Sequence, residues 1–222
     1  HSPSTLKLIE DFKAKYPGTR HVQYDEVSYS GMLMANEACY GKKAIPSYQF
    51  DKASTIVSLG ADFLGTWLSS SEYAKQYSKT RKISEKNPAM SKHFQFESIM
   101  SLAGANADYR TMIKPSQEGL VVSNLYNLVA GKLGAASIST TQLSDLPNLK
   151  LAAENLVKTK GYSLVVSGSN DPAVQILVNA INNLLASYGS TIDTSRKSNV
   201  KLGNDAAFAD FVSKVKDGSV GA

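Results

Sequence analysis

The sequence predicts an α/β fold, a Rossmann-like three-layer sandwich with a mostly parallel sheet and helices on both faces. Three observations carry this. Two short apolar runs, Thr55-Ile-Val-Ser-Leu59 and Ser163-Leu-Val-Val-Ser167, read as buried strands, and each stops at a glycine, Gly60 and Gly168, where the backbone can turn tightly. Each is followed by a helix-start signal, Ser69-Ser-Ser-Glu72 in one case and Asp171-Pro172 in the other. Strand-like and helix-period segments then alternate along the chain, as units joined by right-handed crossovers do.

Taken in order, Leu6, Leu8, Ile9, Phe12 and Ala14 give a first helix ended by Tyr16-Pro17-Gly18, and His21-Val-Gln-Tyr-Asp25 reads as a short strand. A helix from Ser28 to Tyr40 is capped by Gly41, and a loop carrying Pro46 leads to the strand ending at Gly60. After the helix that begins near Glu72 come a strand at His93–Glu97 and a Gly- and Ala-rich turn or short helix, Leu102–Asp108. Arg110–Lys114 is a strand stopped by Pro115, and Leu120–Leu133 has helical periodicity. The Ser-, Thr- and Gly-rich stretch 134–147 reads as a surface loop, and Asn148–Lys160 as a helix ended by Gly161. Beyond Pro172, residues Val174, Leu177, Val178, Ile181, Leu184 and Leu185 form the buried stripe of another helix.

Composition sets the outer limits. At 222 residues, with 42% hydrophobic and 19% charged residues, the chain suffices for one large domain with a sizeable core. No apolar run approaches the ~18 to 20 residues of a membrane span, so direct membrane insertion is not expected. A single cysteine, Cys39, excludes an internal disulfide, and the apolar stripe around it predicts a core thiol. His1, His21 and His93 are far apart, so no metal-ligand spacing exists. Of the net charge of +5, a net +4 falls between Glu72 and Lys92, where Lys75, Lys79, Arg81, Lys82, Lys86 and Lys92 face two acids. Without a nucleic-acid motif or interleaved aromatics, this reads as a solvated helix face and a polar loop at 84–88, and no nucleic-acid partner is expected. The dinucleotide fingerprint of three glycines, the phosphate-binding loop ending in Gly-Lys-Ser/Thr and the serine nucleophile elbow are all missing.

The order of segments resembles one family. Ala53–Asp62, His93–Ser98, Ala107–Glu118 and Ser163–Gly168, in that order, resemble the second domain of molybdopterin oxidoreductases of the dimethyl sulfoxide reductase family, over roughly residues 18–190. In finer detail, Ala61-Asp-Phe-Leu-Gly65, Met90-Ser-Lys-His93, Phe96-Glu-Ser98, Leu102–Asp108 and Tyr162–Gly168 resemble the iron-sulfur/molybdopterin-like subunit of the bacterial alternative complex III, a quinol:cytochrome c oxidoreductase. That resemblance implies an oxidoreductase context in electron transport, on the periplasmic side of the bacterial inner membrane. Its partners would be other domains of the same subunit and other subunits of the complex.

It also implies where a molybdopterin guanine dinucleotide would lie, at three strand ends. Gly60 and Asp62 keep the first step of the family pattern. Glu97 and Ser98 stand where the second offers an Asp and a nearby Arg. In the third, Pro115-Ser116-Gln117-Glu118, Ser116 replaces a Gly and Glu118 retains the acid. These departures imply a vestigial cofactor site formed by Gly60, Asp62, Glu97, Ser98, Ser116 and Glu118, with no catalytic or metal-binding residue and no cofactor expected in this stretch. Residue by residue, Asp62 also suits a turn cap, Glu118 a helix first turn, and Arg81 and Arg110 carboxylate or phosphate partners. Trp67, the only tryptophan, reads as a packing anchor.

Residues 1–194 are thus expected to form the molybdopterin-oxidoreductase-like domain. Residues 195–222, a linker over 195–203 and an amphipathic helix from Asp205 closed by Gly218, are expected to lead to a further domain of a longer protein. Two function classes follow: a structural and interaction domain, or a working domain that binds a molybdopterin guanine dinucleotide or other dinucleotide at the strand ends.

Overall fold

Four parallel strands form the central sheet of the structure, a computed structural model that describes residues 2–85, 88–143 and 146–221. In chain order the elements are α1 (Pro3–Lys15), α2 (Ser30–Tyr40), β1 (Ile45–Tyr48), β2 (Thr55–Leu59), α3 (Ser70–Arg81), β3 (Lys92–Glu97), α4 (Leu102–Ala105), β4 (Tyr109–Met112), α5 (Glu118–Leu133), α6 (Leu149–Lys158), β5 (Ser163–Ser167), α7 (Pro172–Leu184), β6 (Ile192–Ser198) and α8 (Asp205–Lys216). The sheet order is β4-β3-β2-β5, with Val57 level with Phe94 on one side and Val165 on the other. The chain therefore steps outward from β2 through β3 to β4, then crosses back through α5 and α6 to place β5 against the free edge of β2. A switch of direction between β2 and β5 leaves its fork at their C-terminal ends, the usual ligand position in an open parallel sheet.

Alternation along the strands divides the core in two. Val57, Leu59, Phe94, Phe96 and Val165 face one layer, where Val121, Val122, Leu125 and Val129 of α5, Ala152, Ala153 and Leu156 of α6, and Val174, Val178 and Ile181 of α7 bury their stripes. Ile56, Leu164 and Val166 face the other, with Met32 and Leu33 of α2, Tyr73 and Tyr77 of α3, and Ile45 and Tyr48 of β1. Full burial of each large apolar side chain contributes about 1.5–3 kcal/mol, so this two-sided burial holds the sandwich together. β2 and β5 carry apolar residues on both faces because they are covered on both, which is why they read so clearly in the sequence. Trp67 is buried in the second layer, with ring centroids 5.2 Å from Tyr48 and 5.6 Å from Tyr73.

Several expectations need correction. His21–Asp25 is not a strand. Tyr24 stacks on Phe208 of α8 at 4.4 Å, and Asp25 Oδ2 accepts from the amides of Leu202 and Gly203, so this segment pairs with the C-terminal region and not with the sheet. The expected linker 195–203 begins inside β6, which pairs antiparallel with β1 as a separate two-stranded sheet. Cys39 is exposed, not in the core. The buried face of α2 lies at Ser30–Leu33, Ala35 and Asn36, and at the last turn Tyr40 takes the inward position, its hydroxyl bonded to that of Tyr188. Residues 86 and 87 of the expected polar loop, and 144 and 145 of the expected loop 134–147, lie outside the described residues. Along the basic stretch, Lys79 pairs with Asp51 and Arg81 with Asp108, while Lys75 and Lys82 are exposed.

Candidate functional site

The fork between β2 and β5 is built by glycines. Gly60, at φ 64°, ends β2 in the left-handed region, which glycine enters without a Cβ penalty, and its amide donates to Phe96 O at 2.8 Å. Gly168 donates to Leu59 O at 2.9 Å, and a Cβ on Gly168 would lie 2.5 Å from Gly60 O. The two chains therefore leave the sheet side by side for one residue more than the strands themselves. Above them, Glu118 in the first turn of α5 accepts from Ser167 Oγ at 3.2 Å, and its Oε1 is 3.7 Å from where a Gly60 Cβ would stand. Burial pushes the Glu118 carboxyl above its ordinary value, against the Ser167 hydrogen bond, and the charge of Asp171 pushes the same way.

Only Gly60 and Glu118 of the six expected site residues meet at this fork. Asp62 turns instead to α4, where its Oδ1 accepts from the Ala103 amide at 2.9 Å, and its carbonyl takes the amides of Gly65, Thr66 and Trp67. Ser98 and Ser116 are exposed at the ends of β3 and β4. Glu97 is buried, 3% exposed, and receives four hydrogen bonds, from Gln95 Nε2, the Ser101 amide, Ser101 Oγ and Arg110 Nε. Burial pushes its pKa up, but the bonds from Ser101, Arg110 and Gln95 together outweigh this and hold it below the ordinary value. A Cβ on Gly104 would clash with this carboxylate, so the glycine lets α4 close over it.

Glu97 is the end of a polar row along one face of β3. His93, Gln95 and Glu97 alternate with Phe94 and Phe96, as the two-residue period of a strand requires. Tyr77 Oη lies 3.2 Å from His93 Nδ1, His93 Nε2 3.1 Å from Gln95 Oε1, and Gln95 Nε2 3.0 Å from Glu97 Oε2. With Glu97 ionised, it accepts from the Gln95 amide NH2, which leaves Gln95 Oε1 to accept from His93 Nε2–H. Burial lowers the His93 pKa to about 4, so the ring is neutral at pH 7. At the other end of the strand, Arg81 grips Asp108 through both its terminal nitrogens, at 2.6 and 2.8 Å, and Asp108 also accepts from the His93 amide.

No protein-family model matches the chain, and no curated protein matches it. What the site can hold is therefore judged from its donors. A dinucleotide at these strand ends needs free amides or cations for its phosphates. Four amides around these ends are already engaged: Gly31 N–H donates to Asn170 Oδ1 at 2.8 Å, Ser169 N–H to Ser167 Oγ at 3.0 Å, Ala173 N–H to Asp171 Oδ1 at 2.8 Å, and Gly104 N–H to Ser101 Oγ at 2.9 Å. The charged side chains at the fork, Glu118 and Asp171, are both acids, while Arg110 and Arg81 are turned to Glu97 and Asp108. The fork therefore sets two acids, and no unpaired arginine, where a molybdopterin guanine dinucleotide would bring its phosphates. Among the described residues no group of three or more His, Cys, Asp or Glu side chains is placed to hold a metal ion.

The sequence reading missed Ser167 and Asn170, and it named Arg110 as a carboxylate or phosphate partner without naming Glu97 as that carboxylate. The first two lie in Ser167-Gly-Ser-Asn-Asp-Pro172, a run dense in residues that bond to nearby backbone, which is a readable signal for self-capped loops. Arg110 carried a signal too. It is thirteen residues from Glu97, on the neighbouring strand, and a register of β3 against β4 was needed to bring them together.

Proposed function

We propose that the chain is a structural and interaction domain of a molybdopterin-oxidoreductase-like subunit in a respiratory quinol-oxidising complex, carrying a vestigial cofactor site. The resemblance supplies the family and, with it, the periplasmic setting and the partners, namely other domains of that subunit and other subunits of the complex. One observation favours scaffold over working cofactor domain. The amides and carboxylates at the sheet's C-terminal edge bond to one another: Asp62 to the start of α4, Glu97 to Ser101 and Arg110, Asn170 to the start of α2 and Asp171 to the start of α7. A phosphate entering there would have to displace bonded carboxylates and approach Glu118, at a cost in both hydrogen bonds and like-charge repulsion.

Titration of the chain with GMP and GDP, followed by calorimetry and by amide shifts at residues 60, 118 and 167–170, tests this reading. No saturable binding is expected. Saturable binding that Asp62→Ala and Glu118→Ala abolish would establish the alternative, a working dinucleotide-binding domain. Purifying the affinity-tagged full-length subunit from membranes tests the setting: quinol-oxidising activity should co-purify with it, and its absence would remove the respiratory assignment.

A further inference from the structure

The two-stranded sheet of β1 and β6, away from the strand-end fork, carries a surface that the scaffold reading leaves unexplained. β6 is seven residues long and β1 four, and they pair only at Ile192, Asp193, Lys197 and Ser198. Thr194, Ser195 and Arg196 fall in the irregularity between the paired positions and are exposed. Beside this stretch lies a small cavity of about 30 Å³ with walls of Tyr40, Ala44, Ile45 and Pro46, and Lys42, Arg196 and Lys197 on its lining. Lys43 adjoins it in sequence and is exposed. Among the described residues none of these four cations is in an ion pair, although Arg196 lies in the field of Asp193.

Each feature narrows the occupant. The cavity is far below the ~300 Å³ of a small-molecule site, so it takes the tip of one apolar side chain. A two-stranded sheet is marginal by itself, and in the exposed length of β6 the Ser195 amide donates to Asp193 Oδ1 at 2.9 Å and the Arg196 amide bonds to the same carboxylate, so this stretch presents its side chains to a partner and not a free row of amides. The cations oppose a second copy of this chain, because Arg196 and Lys197 of one would meet those of the other. They attract an acidic segment instead.

We infer that the exposed length of β6, with the Lys42, Arg196 and Lys197 cluster, docks an extended acidic segment of a protein partner, one apolar side chain seated against Tyr40, Ile45 and Pro46. The cations supply sign and register, and the apolar notch fixes where along the segment its one apolar side chain is held. The inference rests on the scaffold reading only in calling for a protein partner, and the nucleotide titration tests that reading separately.

The probe is a fluorescent peptide of six glutamates around a central leucine, titrated into the whole chain by anisotropy, with hydrogen exchange read at 193–198. Saturable binding that slows exchange at 193–198 is expected. Arg196→Glu with Lys197→Glu should weaken it by about tenfold or more, as should Lys42→Glu, while the distant exposed pair Lys150→Glu with Lys158→Glu should leave it unchanged. All these side chains are at the surface, and circular dichroism checks each fold. Replacing the leucine by serine should also weaken binding. The proposal is overturned if the peptide does not bind, if the control pair weakens it equally, if exchange at 193–198 is unaltered, or if a single-stranded oligonucleotide binds the same surface as tightly.

Discussion

Arg110 Nε stands 2.6 Å from Glu97 Oε1, joining a carboxylate that is 3% exposed to a guanidinium that keeps 27% of its surface in water. The carboxylate has given up its hydration and depends on this partner, with Ser101 and Gln95, to stay ionised. Removing one member of such a pair costs far more than the pair contributes, because it leaves a buried charge unmatched.

Arg110→Met is therefore expected to destabilise the fold by about 3–5 kcal/mol at pH 7, measured by urea denaturation. Adding Glu97→Met should recover much of that loss. If the double variant is no better than Arg110→Met, the carboxylate is not what the arginine protects. The pH dependence has a defined sign. Glu97 and Asp108 both have folded pKa values held below ordinary, so their contribution is full above the ordinary carboxylate range and is lost as pH falls through their lower folded values.

His93 acts in a higher window. Its folded pKa is about 4 against an ordinary 6.5, so between these values the unfolded chain binds a proton that the folded chain refuses. The neutral ring's contribution is complete above 6.5 and declines toward pH 4, by at most about 3 kcal/mol. A His93→Gln variant should show a flatter loss of stability between pH 6.5 and 4.5 than the parent chain. Equal slopes for the two proteins would assign the acid sensitivity to other groups.

Glu118 has the opposite sign. Its folded pKa is raised, so protonation favours the folded state, and that advantage disappears as pH rises above the carboxylate range. Glu118→Gln should consequently raise the melting temperature at pH 8 and leave it unaltered at pH 4. The gain will be small, since the side chain is partly solvated. A loss at pH 8 would mean that the charge has a favourable partner at the fork.

Three glycines predict a graded series. Gly31→Ala would drive its Cβ into the backbone of Asn170, and Gly168→Ala into Gly60 O, neither of which can rotate away. Each should cost about 1–3 kcal/mol in thermal or chemical denaturation. Gly60→Ala meets open space, with only the tip of Glu118 near, and should cost about 1 kcal/mol from its positive φ. If Gly60→Ala were the most damaging of the three, close packing would not be what fixes the fork.

The sandwich was legible where a segment announced its environment by itself. β2 and β5, apolar on both faces and stopped by glycine, needed no knowledge of their neighbours. β1 and β6 did not announce themselves, because Pro46 and the charged Arg196-Lys197 argue against strands and because their partners lie about 150 residues apart along the chain. The candidate site divides on the same line. Gly60 stands at a strand end and Glu118 in a helix first turn, the local positions their own residue types indicated. Asp62 and Glu97 lie just beyond and at strand ends, but the direction of a side chain depends on what it meets, and the Ala103 amide and Arg110 come from other elements. The exposed Cys39 failed for a related reason: a helical stripe says which side is inward, and the last turn of α2 gives that side to Tyr40.

The contact of Gly168 with Gly60 also sets the order in which this sheet could be re-engineered to carry a ligand. Placing new cations or a glycine-rich turn at 115–118 would come second, because the gap that a phosphate must enter is stitched shut beneath them by the Gly168-to-Leu59 hydrogen bond. A designer would first have to part β2 from β5 by one residue, for instance by lengthening the loop after Ser167, and only then build donors into the opening. The seam that makes this end of the sheet a firm platform is the same seam that a gain of binding would have to undo.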